Sequence, residues 1–232
     1  MNGRWALVLA GALCWTGCGM EHAGPEQLYS QAIERDRSET VGVDLDMKAG
    51  TLRVAGGTDK LASADFHYNI ASWKPDVRYN SASGRGSLTI TQPDSGTLSG
   101  NARNEWDLQL NHEVPLDVEV HMGAGEAFLD LGGLTLRKVS VEMGAGKVDL
   151  NLRGTPKTSY EVRLRGGVGE ATIRLPSTVG VDAQVTGGIG EIKASGLHHD
   201  GSRYFNDILG KSKVTIHLDV EGGVGSIQLI SD

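Results

Sequence analysis

One short phrase recurs along this chain and limits what it can fold into. Val118 to Gly125 reads Val-Glu-Val-His-Met-Gly-Ala-Gly, and Val139 to Gly146 reads Val-Ser-Val-Glu-Met-Gly-Ala-Gly. The phrase returns as Val162-Arg-Leu-Arg-Gly-Gly-Val-Gly169, Ala183-Gln-Val-Thr-Gly-Gly-Ile-Gly190 and Leu218-Asp-Val-Glu-Gly-Gly-Val-Gly225. An earlier copy is Val43-Asp-Leu-Asp-Met-Lys-Ala-Gly50. Met122, Met143, Gly166 and Gly187 hold the same place in successive copies, at intervals of 21, 23 and 21 residues. The step to Gly222 is 35, so an insertion falls there. A period of this size points to a stacked repeat, in which one unit buries its apolar face only against the next.

Each copy joins two alternating runs at a glycine corner. Val139, Val141 and Met143 alternate with Ser140 and Glu142 before the corner; Val148, Leu150 and Leu152 alternate with Lys147, Asp149 and Asn151 after it. Period-two alternation means a strand with one buried face. The corner lacks a tight hairpin signal such as Asn-Gly, and its glycines suit positive φ or close backbone approach. A meander of hairpins and a β-solenoid both fit this pattern. In-register identity favours the solenoid, with Met122 over Met143, Ala124 over Ala145, then Val168, Ile189 and Val224. The expected fold is therefore all-β: a right-handed, parallel β-helix-like solenoid over 41–232, of about six coils with 21-residue repeats. At the inter-strand spacing it would be roughly 30 Å long.

The segments outside the repeat read differently. Trp5 to Trp15 is apolar and too short to span a membrane as a helix. With Trp15-Thr16-Gly17-Cys18 it resembles a bacterial lipoprotein signal, which implies cleavage after residue 17, a lipid on Cys18 and a membrane-anchored envelope protein. Gly19, where an Asp would suggest inner-membrane retention, permits an outer-membrane or periplasmic-face location. Cys14 and Cys18 are the only cysteines, so cleavage leaves no internal disulfide and the core must carry stability. Residues 18–40 read as a polar tether with weakly helical composition. Residues 62–92 are less regular; Phe66, Tyr68, Trp73 and Tyr79 suit a cap that seals the core better than a carbohydrate-stacking platform. Residues 93–104 are loop by composition.

Little in the sequence reads as catalytic. Gly210-Lys211-Ser212 lacks the upstream glycine of a phosphate loop, and the other corners lead into strands. His198-His199-Asp200 is the one histidine cluster, short of the converging ligands that zinc needs. His121 and His217 alternate with apolar residues and should point outward. The residues after the corners (Thr51, Glu126, Lys147, Glu170, Glu191 and Ser226) form an expected column, in which Glu170 and Glu191 would be the best carboxylate pair for glycan cleavage. No nucleophile and base accompany them, so catalytic, cofactor and metal sites are expected to be none. The net charge is −7, which argues against nucleic acid as a partner.

Val43 to Gly50, Ala64-Asp-Phe-His-Tyr-Asn69, Trp73-Lys-Pro75, Val114-Pro-Leu-Asp117, the two Met-Gly-Ala-Gly corners, Asn206-Asp207, Gly210-Lys-Ser212 and Val220 to Ile227 resemble the bacterial toast-rack family of unknown function. That family is similar to extracellular domains of cell-wall-stress response proteins and to adhesin-like β-solenoids. The resemblance implies a β-solenoid in the envelope and supplies no catalytic residue. The expected function is a lipid-anchored, non-enzymatic module that binds or scaffolds an envelope protein or surface polymer. An envelope-stress sensor and a polysaccharide-active enzyme are the alternatives.

Overall fold

The computed structural model describes residues 21–94, 98–99 and 101–232; the expected signal segment and Cys18 lie outside them. The N-terminal part holds β1 (Glu21–His22), β2 (Gln27–Ile33), β3 (Thr40–Gly56), β4 (Ala62–Tyr68), β5 (Asp76–Ala82), β6 (Arg85–Thr91), β7 (Leu98–Ser99) and β8 (Asn104–Leu110). The repeats follow as β9 (Leu116–Asp130), β10 (Leu136–Asn151), β11 (Tyr160–Leu175) and β12 (Gly180–Ser195). Then come β13 (His198–Asp200), β14 (Arg203–Phe205) and β15 (Thr215–Ser231).

Six of these, β3, β9, β10, β11, β12 and β15, are long strands bent at the glycine corner into two arms. They pair in parallel and in register through the bend, as in Met122↔Met143, Ala124↔Ala145 and Leu129↔Leu150. The sheet stays open, and the chain is the expected all-β solenoid. The alternating apolar residues of both arms face one core: Val41, Val43, Leu45, Val139, Val141, Leu150 and Ile173 are all buried. Burial of these ladders is the main favourable term in folding.

The stacking order departs from chain order. The repeats run β3–β9–β10–β11–β15–β12, so the last coil slots between the two before it. Val224 lies between Val168 and Ile189, and the expected succession of Val168, Ile189 and Val224 is corrected accordingly. The 196–214 insertion makes this possible. It runs outside β12 as the β13–β14 hairpin, antiparallel to β12 at 182–184, and then returns inward. The buried Asn206 pins that return. Its Oδ1 accepts from the Val181 amide at 3.0 Å and its Nδ2 donates to the Val179 carbonyl at 2.7 Å. A repeat interval gives the length of an insertion but not the slot its far end enters.

Two glycine columns hold the corners together. Gly50, Gly125, Gly146, Gly169, Gly225 and Gly190 stack with φ between +129° and +149°, a region that side chains rarely adopt. A Cβ on Gly125 or Gly146 would lie 1.9 Å from the carbonyl oxygen of the glycine one coil below. At Gly190 the distance falls to 1.6 Å. The second column, Gly123, Gly144, Gly167, Gly223 and Gly188, leaves 2.2–2.5 Å for a Cβ.

The N-terminal end is sealed by a broken coil. β6 pairs in parallel with the first arm of β3 and β8 with its second arm, as two separate strands in place of one bent strand. Side chains do the corner's work there. Gln92 Oε1 accepts from the Lys48 and Ala49 amides at 2.9 and 3.1 Å. Asn104 Nδ2 donates to the Ala49 carbonyl at 2.8 Å, and Trp106 Nε1 donates to Asn104 Oδ1 at 2.9 Å. Phe66, Tyr68 and Trp73 are buried and serve as the seal. Gln27–Ile33, expected within the weakly helical tether, is instead a strand antiparallel to β4. Its alternation places Tyr29 and Ile33 against the core, with Tyr29 stacked on Phe66 at 5.6 Å.

The corner columns generate a direct test. Gly146→Ala should lower stability by about 2 kcal/mol or more, a fall in Tm of about 4–8 °C. Gly133→Ala, where a Cβ meets nothing within 4 Å, should leave Tm nearly unchanged. Thermal unfolding followed by circular dichroism reads both, and equal shifts would contradict the role given to the column.

Candidate functional face

The residues singled out for chemistry are brought together only in part. The expected column forms in the order Thr51, Glu126, Lys147, Glu170, Ser226, Glu191. Ser226 enters with the last coil and separates Glu170 from Glu191 by two strand spacings, about 10 Å. The adjacent carboxylate pair therefore does not exist, and Glu191 is matched instead by Lys193 at 2.9 Å. His198 and His199 are neighbours on a strand and point to opposite faces. They pack on Phe205 and Tyr204 across the hairpin, at 5.8 and 5.7 Å. Among the described residues, no group of three or more His, Cys, Asp or Glu is placed to hold a metal ion. The Lys211 and Ser212 amides both donate to the Ile208 carbonyl, so the Gly210-Lys211-Ser212 turn does not present them to a phosphate.

The outward side of the first arms is a ladder of charged and polar side chains. Asp46, His121, Glu142, Arg165 and Glu221 stack in register along a groove of about 780 Å³. Arg165 reaches Glu221 at 3.2 Å and Glu142 at 4.0 Å; His121 lies 3.5 Å from Glu142. Such exposed pairs are mutually satisfied and contribute little each. One residue nearby is out of balance. Asp44 has a buried Oδ1 with no hydrogen-bond partner, and Glu119 stands directly across from it. Burial pushes its carboxyl above the usual range, Glu119 and Asp46 add to the shift, and His121 opposes it.

The outward side of the second arms carries a groove of about 530 Å³. Phe128 stands in it, in a register column whose other five coil positions are Arg53, Asp149, Thr172, Gln228 and Lys193. Arg53 Cζ and Lys147 Nζ lie 5.7 and 5.9 Å from the ring centre. Around it are Asp107, Gln109, Asp130, Asp149, Asn151 and Arg174. Arg53 lies 3.7 Å from Asp107, Arg174 contacts Asp149, and Asn151 donates to Asp130 at 2.9 Å. Repeat reasoning missed Phe128, although the signal was available: it is an aromatic residue at an outward position that is polar in every other copy.

A third feature lies inside the corner. Met47, Met122 and Met143 fill that space in the first three coils of the stack, and Gly166, Gly222 and Gly187 take their place in the last three. Their absence leaves a cavity of about 90 Å³, into which Ile192 and Ile227 lean. Beside it Val168, Val224 and Ile189 are 57%, 47% and 74% exposed. Beyond Val185, no described strand pairs with the outer side of β12.

Asp44 yields a pH test. A carboxyl whose folded-state affinity for protons is raised stabilises the fold when protonated, and that contribution is lost as pH rises through its folded value. Asp44→Asn should therefore raise Tm near neutral pH and have little effect near pH ~3, where the ordinary carboxylate is already largely protonated. A gain of equal size at both values would contradict this origin.

Among curated proteins, none matches the chain. Among solved structures, a candidate cell adhesion protein from Clostridium sporogenes is 35% identical with a TM-score of 0.87, covering 90% of this chain and all of that one. A candidate adhesin from Bacteroides fragilis is 9% identical, with a TM-score of 0.35 over 90% of this chain and 99% of that one. A candidate lipid-binding protein from Parabacteroides distasonis is 10% identical, with a TM-score of 0.27 over 91% and 99%. These last two are too remote to bear on function. The family described as Toast_rack_N, the N-terminal domain of toast_rack, DUF2154, matches residues 22–174. That match takes in the N-terminal seal and four of the six bent strands, and with it the chain belongs to the toast-rack family.

Proposed function

We propose that this protein is a non-enzymatic binding module of the bacterial cell envelope, exported by residues 1–17 and anchored to the membrane by a lipid on Cys18. The observation that carries the binding reading is the likeness, over the whole length of the other chain, to a candidate cell adhesion protein. The two broad outward grooves agree with it, because each presents polar side chains on a rigid stack without a nucleophile and base in contact. The ligand on this reading is an envelope protein or surface polymer lying across the strands. Nucleic acid fits poorly against a chain of net charge −7.

Two measurements test the proposal. Cys18→Ala should move the full chain from the membrane fraction to the soluble fraction; retention in the membrane would contradict the lipid anchor. The lipidated protein should also bind isolated envelopes saturably, with binding that purified protein in excess competes away. Linear, non-competed association would contradict a binding module.

A further inference from the structure

The second-arm groove is where the outward ladders break their own pattern. We infer that the groove over Phe128 binds an uncharged glycan, with the Phe128 ring as the stacking surface; this rests on the binding-module reading and adds the ligand class. Four observations carry it.

The ring itself is the first. Phe128 is the single outward-facing aromatic of the six bent strands, and it is only partly buried. Beyond its cation–π contacts with Arg53 and Lys147, the part of the ring left in water adds nothing to the fold, and the five equivalent positions manage with polar side chains. A sugar ring offers a face of C–H groups that would cover it.

The rim is the second. Gln109 and Asn151 are planar amides, Asp107 and Asp149 planar carboxylates, and Arg53 and Arg174 planar guanidinium groups. Each presents two polar atoms side by side, the geometry that grips neighbouring hydroxyl groups as a pair.

Charge is the third, and it selects against anionic polymers. The groove holds Asp65, Asp107, Asp130 and Asp149 against Arg53 and Arg174. Both arginines are already matched, Arg53 by Asp107 at 3.7 Å and Arg174 by Asp149. Lys147, 5.9 Å from the Phe128 ring, adds a third cation at the edge, yet the four carboxylates still outnumber the cations, so a phosphate or uronate meets net negative charge.

Dimensions are the fourth. The groove is about 530 Å³, within the usual range for small-ligand sites. Asp65, Asp107, Arg53, Phe128 and Asp149 succeed one another along the stack axis. A polymer lying along that axis meets a new side chain about every 4.8 Å.

The test uses the full chain in detergent and a panel of cello-oligosaccharides, chitin oligosaccharides and dextran, with alginate as the anionic comparison. Calorimetric titration should show saturable binding to at least one neutral glycan and weaker binding to alginate. Phe128→Ala should weaken that binding by about tenfold or more with little change in Tm, because the ring lies outside the core. Phe128→Tyr keeps the ring and should restore binding. Glu191→Gln, outside the groove, should leave it unchanged. No binding to any neutral glycan, or wild-type affinity in Phe128→Ala, overturns the inference. If saturable envelope binding persists in Phe128→Ala, this site assignment falls while the binding-module reading stands.

Discussion

Close approach of backbone to backbone at the corners is the constraint on which this structure depends. Successive coils can stack through a bend only if nothing projects between them. The distances at Gly125, Gly146, Gly169, Gly225 and Gly190 show that even a methyl group would strike the neighbouring carbonyl. Positive φ at the same positions turns the chain from one arm to the other. One residue type therefore meets two demands, and the in-register ladders of Val, Leu, Ile and Met follow from it. Where the column ends, beyond Gly50, Gln92 and Asn104 replace the missing backbone with side-chain amides.

The two ends of the stack are unequal. At the N-terminal end, the broken coil and its antiparallel strands leave the aromatic residues buried. At the other end, the hairpin of β13 and β14 covers only part of the first arm of β12. The intercalated last coil places β12, the sixth bent strand of the stack, outermost of the six, and this exposes Ile189. It also separates Glu170 from Glu191, which removes the most plausible carboxylate pair for glycan cleavage. The proposed binding across the outward faces does not depend on that pair.

Much of this was legible in the residues. The glycine phrase identified the corners, the alternation identified the buried faces, and the aromatic cluster at Phe66, Tyr68 and Trp73 identified the seal. The slot taken by the last coil was not legible, because local pattern fixes which face of a strand is buried and leaves its neighbours free. Asn206 and the hairpin decide that slot through contacts distant in sequence. Gln27–Ile33 was obscured for a related reason. A polar edge strand covered on one side shows weak alternation, and its pairing with β4 overrides local composition. Phe128 was legible as an aromatic break in the exposed period, which the buried period does not register.

Amide hydrogen exchange at the corners tests the central claim most directly. If backbone nesting holds the stack together, the amides of Gly125, Gly146 and Gly169 open only with global unfolding and exchange among the slowest in the protein. Gly188 and Gly190, in the outermost of the six stacked corners, should exchange faster by orders of magnitude. Interior corner amides that exchange as fast as those of Gly188 and Gly190 would contradict the account.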